Sequence, residues 1–283
     1  MKNQHYQEKI SETILNRKGA NKISNIPSEV VNLLNMGKIE SVNLTEWLAV
    51  NHISLLHNTL PEICLQNYID EISNTVNNLK EKTIMKIIPT IGGKLLEILS
   101  RKSEEDYSAY FLPLAMHRSD SVRCWAAYVI GLNRDLSITE KLSQIKPFAA
   151  DKHFGVREIA WMAVRESITQ ELTESIAILE KWTVEDDENI RRFAIESTRP
   201  RGVWCKHITQ LKQCPDLAIS LLEHVKSDPK KYVQDSVGNW LNDASKSHPE
   251  WVSVLCDEWL RTSDIKETKR IVTRARRTIT KNM

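Results

Sequence analysis

Three carboxylates, Glu158, Glu196 and Asp243, recur along the second half of the chain in the company of arginines and tryptophans. The densest stretch runs Arg191-Arg192-Phe193-Ala194-Ile195-Glu196-Ser197-Thr198-Arg199-Pro200-Arg201-Gly202-Val203-Trp204. It gathers four arginines, one carboxylate and two aromatics around a helix end. A guanidinium fork binds phosphate oxygens bidentately, a fixed carboxylate can face a developing cation, and an aromatic ring offers a flat surface to a base. Together they suit a nucleic-acid site with chemistry in it. Asn239-Trp240-Leu241-Asn242-Asp243 repeats the theme about one repeat later.

The elements that carry these residues are helices. The 283 residues include only eight glycines, and strand signals are poor. Apolar residues recur at helical spacing, as in Leu33, Leu34 and Ile39, or Leu95, Leu96 and Leu99. Prolines at 27, 61, 89, 113, 147, 200, 215, 229 and 249 are expected near helix boundaries, where a missing N–H matters least. The fold class is all-α.

A repeat then fixes register. Ser121-Val122-Arg123, Gly155-Val156-Arg157, Asn189-Ile190-Arg191 and Tyr232-Val233-Gln234 each lead into a helix. Aligned on Arg123, Arg157, Arg191 and Gln234, the steps are 34, 34 and 43 residues. A turn with an acidic residue, then Val/Ile-Arg, then a helix, is a HEAT-like pattern. The expectation is a single domain, 1–283: a curved α-solenoid with a helical cap over 1–60, then repeats and a basic C-terminal helix over 61–283.

Register separates core from site. Ala126, Ala160, Ala194 and Val237 lie three residues past the aligned position, and Ile130, Val164, Thr198 and Leu241 seven past it. Positions four apart share a helix face, so these small or apolar residues face the core. A second stripe, at one, five and eight past, holds Glu158, Met162 and Arg165, then Arg192, Glu196 and Arg199, then Asp235, Asn239 and Asn242, with Asp243 beside it. Adjacent repeats would bring Glu158, Glu196 and Asn239/Asp243 side by side. Asn242-Asp243 could equally end its helix before Ala244.

Arg191 sits at the generic repeat position and is expected to tie one repeat to the next through an acidic side chain. Arg199 and Arg201 flank Pro200, where the helix must break, so they are expected to project from a turn toward phosphates. Lys206 and His207 extend that basic cluster. Trp125, Trp182, Trp251 and Trp259 sit among aliphatics and read as core. Trp161 and Trp240 adjoin the polar stripe and are the candidates for touching a base or sugar.

Several function classes find no support. Apolar runs such as Ile84–Ile88 are far too short to span a bilayer. Residues 1–8 show no signal-peptide core, and five cysteines without a CxxC pair suit a reducing compartment, so a cytoplasmic protein is expected. Cys205, His207 and Cys214 lack the paired half of a zinc site, and no metal or cofactor is expected. Gly92-Gly93-Lys94 lacks the flanks of a phosphate loop. Apolar content of 41%, charged content of 27% and a net charge of +2 are ordinary for a globular protein. From Arg261 to Met283, however, eight Lys/Arg stand against two Asp/Glu. That tail is either a solvated face or an attraction to a polyanion.

The segments 154–161, 191–204 and 232–243 together resemble the bacterial AlkC-type DNA alkylation repair proteins, HEAT-like-repeat DNA glycosylases related to the AlkD type. The resemblance covers roughly residues 105–280. It implies a monofunctional glycosylase acting as a monomer on double-stranded alkylated DNA. Such an enzyme hydrolyses the N-glycosidic bond of cationic bases, chiefly 3-methyladenine, without flipping the base out. By the same resemblance Glu158, Glu196 and Asp243 are the catalytic acids, Trp161 lies near the lesion, and Arg199 and Arg201 hold phosphates. Lys206, Asn239, Trp240 and Asn242 complete the expected DNA-contacting set. Some family members add an immunoglobulin-like C-terminal domain, for which no room is expected here. The competing reading is a scaffold of helical repeats that grips DNA or protein without catalysis.

Overall fold

The computed structural model describes residues 10–281. Residues 1–8, read above for a signal peptide, and the last two residues of the basic tail lie outside them. All described elements are helical. In chain order they begin with α1 (Glu12–Leu15), α2 (Ser28–Asn35), α3 (Leu44–Ala49), α4 (His52–Thr59), α5 (Ile69–Asn77), α6 (Ile84–Leu99) and α7 (Glu104–Ala115). Next come α8 (Asp120–Leu132), α9 (Ile138–Ala149), α10 (Phe154–Gln170), α11 (Leu172–Trp182) and α12 (Glu188–Glu196). The series closes with α13 (Thr209–Gln213), α14 (Ile219–Val225), α15 (Lys231–Ser245), α16 (Pro249–Thr262), α17 (Lys266–Ala275) and α18 (Arg277–Lys281). No described helix is long and apolar enough to cross a membrane.

Contacts divide the chain into two compact units, residues 1–126 and 127–283. The first has its own core of Leu55, Leu56, Leu60, Ile72, Ile88, Ile91 and Leu95, all without exposed surface. Its polar pins are short. Arg17 grips the buried Glu46 through Nε and Nη2 at 2.9 and 2.6 Å. The indole N–H of Trp125 donates to Nδ1 of His52 at 3.0 Å, and burial pushes the His52 pKa down to about 4.

The second unit builds the repeats in two layers. Helices α10, α12, α15 and α17 follow one another in one layer, and α9, α11, α14 and α16 back them. The register read from sequence holds. Ala126, Ala160, Ala194 and Val237 have no exposed surface, and Ile130, Val164, Thr198 and Leu241 have at most 1%. Packing of those faces, rather than intrinsic helix propensity, is what stabilises helices this short.

The aligned arginine has a definite task. Carbonyls in the turn ahead of each helix have no intrahelical partner, and this side chain reaches back to them. Arg123 Nη1 donates to the carbonyls of His117 and Arg118 at 2.7 and 3.3 Å. Arg157 Nη1 does so to Asp151 and Lys152 at 2.7 and 2.9 Å, and Arg191 Nη1 to Glu185 and Asp186 at 2.8 and 2.9 Å. Gln234 keeps half of the device, donating to the Asp228 carbonyl at 2.7 Å. Arg191 also clamps the Asp228 carboxylate at 2.6 Å, the tie between repeats expected of it.

Two expectations change. Pro89, Pro113 and Pro147 lie inside α6, α7 and α9 rather than at their boundaries. Pro113 and Pro147 fall in a last turn, where each removes one i→i−4 hydrogen bond and the helix ends two residues later. The basic stretch after Arg261 is neither a tail nor a plain solvated face. Its helix α17 packs on α15 as the next member of the layer, burying Thr268, Ile271, Val272 and Ala275. Gly238 permits the approach: a Cβ there would sit 2.7 Å from Cβ of Arg274.

Candidate nucleic-acid site

Helices α10, α12 and α15 carry the three carboxylates, and arginines link them into one chain. Glu158 Oε1 accepts from Arg192 Nη2 at 2.6 Å, and its Oε2 accepts from the indole N–H of Trp161 at 2.9 Å. Arg192 lies over the ring of Tyr232, 4.3 Å from its centroid, and reaches Glu196 at 3.9 Å. Glu196 Oε1 accepts from Arg199 Nη1 at 2.6 Å, while its Oε2 accepts from the Ser236 hydroxyl at 2.6 Å. Arg199 also donates through Nε and Nη2 to Asp243 Oδ2 at 2.9 and 2.6 Å. Lys246 closes the chain on Asp243 Oδ1 at 3.0 Å.

Burial grades along this chain. The side chain of Glu158 is 30% exposed, that of Glu196 6% and that of Asp243 4%. Burial alone raises a carboxyl pKa. For Glu196 that effect is outweighed by the charges of Arg192 and Arg199 and by the Ser236 hydroxyl, so the group sits below the usual carboxylate range. Arg192 and Arg199 are shifted up: burial opposes their charge, but Glu158 and Glu196 in one case, and Glu196 and Asp243 in the other, prevail. Glu196 is therefore an anion fixed in direction and largely shielded from water, suited to facing a cation and unsuited to donating a proton.

The segment after α12 is built with equal care. Arg165, itself buried, donates to the carbonyls of Ser197, Arg199 and Lys206 at 2.8, 2.6 and 3.1 Å. Ser197 caps α12, and Arg199 and Lys206 belong to the loop that follows it, so one side chain holds the helix end and the loop together. The amide of Ile208 bonds the Pro200 carbonyl at 3.1 Å and closes the loop. At its tip Trp204 is 62% exposed with φ +60°, a left-handed conformation unusual for a bulky residue.

The expected site residues divide accordingly. Glu158, Glu196 and Asp243 are joined through Arg192 and Arg199. Arg199 does not project from a turn toward solvent; two buried carboxylates draw its guanidinium inward. Arg201 lies half-buried, donating to the Asp243 carbonyl at 3.3 Å and the Ser247 hydroxyl at 2.6 Å. Lys206 is exposed. Trp240 does not adjoin open space: it is fully buried, with its indole N–H on the Thr198 carbonyl at 3.0 Å. Trp161 keeps only 2% exposure. Asn239 Oδ1 accepts from Arg274 and Arg277 at 3.0 and 2.8 Å, outside the acidic chain. Asn242 and Asp243 do not end α15, which runs to Ser245; Asn242 Oδ1 instead accepts from the amide and hydroxyl of Thr278 at 3.1 and 3.0 Å.

Sequence reasoning missed Arg192 as a bridge, Ser236 and Arg165 as supports, and Trp204 as the tryptophan in solvent. Arg192 had a usable signal. It shares its repeat position with Glu158, and opposite charges at one register in adjacent repeats foretell a cross-repeat pair. Trp240 had one too, since Val129, Ala163 and Ser197 occupy its register position and are all buried.

Comparison with known proteins places this segment among relatives. Residues 156–275, which hold the acidic chain, match the family described as DNA alkylation repair enzyme. The protein YhaZ of Bacillus subtilis (strain 168) is 38% identical over 119 residues, covering 42% of this chain and 33% of its own. Among solved structures, the Pseudomonas fluorescens alkylpurine DNA glycosylase AlkC, bound to DNA containing an abasic site analog, superposes with a TM-score of 0.67 at 21% identity. That match covers 93% of this chain and 66% of AlkC. AlkD2 from Streptococcus mutans gives a TM-score of 0.56 at 21% identity, covering 74% of this chain and 97% of its own. The chain thus spans about a third of YhaZ and under two thirds of AlkC. Its fold is of the AlkC/AlkD type, and its segment 156–275 matches the model of the DNA alkylation repair enzyme family.

Proposed function

We propose that this protein is a monofunctional DNA glycosylase that releases cationic alkylated bases, chiefly 3-methyladenine, from double-stranded DNA. The observation that carries the reading is the run of arginine-held carboxylates at Glu158, Glu196 and Asp243, lying within the family-matched segment. Carboxylates whose directions are already set by Arg192, Arg199 and Lys246 can face a cationic base and sugar, a task that a scaffold does not require of them.

The chemistry suits such a site. Alkylation at N3 leaves the purine positively charged. When the C1′–N bond breaks, its electron pair neutralises the base, which needs no general acid. The positive charge passes to the sugar as an oxocarbenium-like centre, and a water oxygen then bonds to C1′ while its proton goes to a carboxylate or to solvent. Glu196 and Asp243 are fixed in position by Arg199 before substrate arrives, so they can stabilise that charge without reorganising. Glu158, the most exposed of the three, supports them. The reaction proceeds as a monomer, with the base left within the duplex and no metal or cofactor taking part.

Incubation with methylated duplex, followed by separation of released bases, tests the proposal. Wild-type protein should release 3-methyladenine, and Glu196→Gln and Asp243→Asn should each slow release by about 10²–10³-fold. Wild-type rates in both variants would remove these acids from the mechanism. No release by the wild-type protein would favour the non-catalytic scaffold.

A further inference from the structure

Beyond the acidic chain, α17 and the start of α18 carry a second charged row that none of the expected site residues includes. Arg270, Thr273, Arg274 and Arg277 fall three and four residues apart, on one helix face, and together line an open depression. The face opposite their charge is poor in anions. Asp235 Oδ1 serves both Arg270 and Arg274, at 2.7 and 3.2 Å. Asn239 Oδ1, a neutral acceptor, serves both Arg274 and Arg277, at 3.0 and 2.8 Å. Arg277 Nε otherwise donates to the Arg274 carbonyl at 3.0 Å, and Arg270 Nη1 to Gln234 Oε1 at 3.2 Å. One carboxylate thus stands against three guanidiniums, each with five donors to satisfy.

Arg277 shows the imbalance most clearly. Burial and then the charge of Arg274 hold its pKa below the usual arginine value, while Asp243, Arg199 and Asp235 act on it from nearby. The row adjoins the acidic chain in space: Thr278, next to Arg277, donates its amide and hydroxyl to Asn242 Oδ1 at 3.1 and 3.0 Å, and Asn242 immediately precedes Asp243 in α15.

We infer that Arg274 and Arg277, flanked by Arg270 and Thr273, bind a DNA backbone phosphate next to the nucleotide being processed. This rests on the proposed action on DNA and moves the phosphate grip from Arg199, which the acids occupy, to α17 and α18. A phosphodiester supplies the missing negative charge, and its oxygens match the guanidinium fork. The bound phosphate in turn fixes the register of the sugar over Glu196 and Asp243.

The test is the salt dependence of binding to an undamaged duplex between 50 and 200 mM salt. Arg274→Gln and Arg277→Gln each keep an amide donor for Asn239 while losing the charge. Each should flatten the slope of log K against log salt by about 0.9, and the double variant by about 1.8. Arg261→Gln, an exposed cation on α16, should leave it unchanged. Asp235→Asn, which frees Arg270, should tighten binding. A wild-type slope preserved in the double variant overturns the site while leaving the glycosylase reading intact. A flattened slope without base release from methylated DNA keeps the site and rejects the glycosylase. Inorganic phosphate at fixed ionic strength is the second probe. If sub-millimolar phosphate displaced duplex from wild type but not from the double variant, the pocket would serve a free anion, and the backbone assignment would fall.

Discussion

Removing the cation at the centre of the acidic chain gives the sharpest test of how the site is held. Arg199→Met keeps roughly the length of the side chain but takes the positive charge from between Glu196 and Asp243. Both carboxylates are almost wholly buried, at 6% and 4% side-chain exposure. Breaking a buried pair by deleting one partner typically costs about 3–5 kcal/mol. Each acid retains a second contact here, Glu196 with Ser236 and Asp243 with Lys246, which places the loss near the lower end, ~3 kcal/mol. Urea unfolding at neutral pH measures it, and the thermal midpoint should fall by roughly 2–4 °C per kcal/mol. Acid dependence supplies the second signature. The folded pKa of Glu196 is depressed, so its contribution is complete above the unfolded value of 4.5 and is lost as pH falls through the folded one. Without Arg199 that folded value rises, and the acid limb of the stability curve moves to higher pH. Neutralising both acids in the triple variant Arg199→Met/Glu196→Gln/Asp243→Asn should recover most of the lost stability. A loss under about 1 kcal/mol, the range of exposed pairs, would refute the reasoning, because it would mean that water already solvates these carboxylates.

Three further substitutions probe the frame. Trp240→Ala, which empties a fully buried site and strands the Thr198 carbonyl, should cost about 3–5 kcal/mol in denaturant unfolding. Trp204→Gly should behave oppositely: about 1–2 kcal/mol of left-handed strain is relieved, more than glycine's entropic cost of about 0.5–1 kcal/mol, so the unfolding midpoint should hold or rise. Gly238→Ala places a methyl 2.7 Å from Cβ of Arg274 and should cost about 1–3 kcal/mol while loosening DNA binding through displacement of α17.

The repeat was legible because burial enforces it. Ala126, Ala160 and Ala194 are small at positions where helices meet, and Arg123, Arg157 and Arg191 serve turn carbonyls that every repeat leaves unpaired. Such one-residue, one-task positions leave a period that survives alignment. Arg199 was less legible because its task depends on two partners. Glu196 is three residues away on the same turn, whereas Asp243 lies 44 residues further along the sequence. Local sequence shows an arginine beside a proline at a helix end, and that pattern suits a phosphate as well as it suits an internal carboxylate. Trp240 misled in a similar way. Its neighbours Asn239 and Asn242 are polar, yet a helix turns 100° per residue, so adjacent residues face different surroundings. The α17 row was read as a basic tail for a different reason: its steps lack the Val/Ile-Arg signature that marked three of the four aligned turns.

The charges of the site also bear on why a buried ionic chain lies there at all. Arginine–carboxylate pairs in a protein interior are weak contributors to stability, and apolar residues of the same volume often do as well. Ser236, Tyr232 and Trp161 are nonetheless arranged around the chain, supplying a hydroxyl to Glu196, a ring beneath Arg192 and an indole N–H to Glu158. Such support fixes direction rather than adding burial. In the proposed reaction this is the useful property. An oxocarbenium-like sugar gains from anions whose positions are set beforehand, and water, which would have to reorient, cannot match them. A substrate that arrives as a cation and leaves its charge on the sugar needs negative charge at one place throughout the bond cleavage. Glu196 and Asp243, held by the same guanidinium, offer it there, and the surplus cations of α17 and α18 lie beside them to hold the phosphate that keeps the sugar in register.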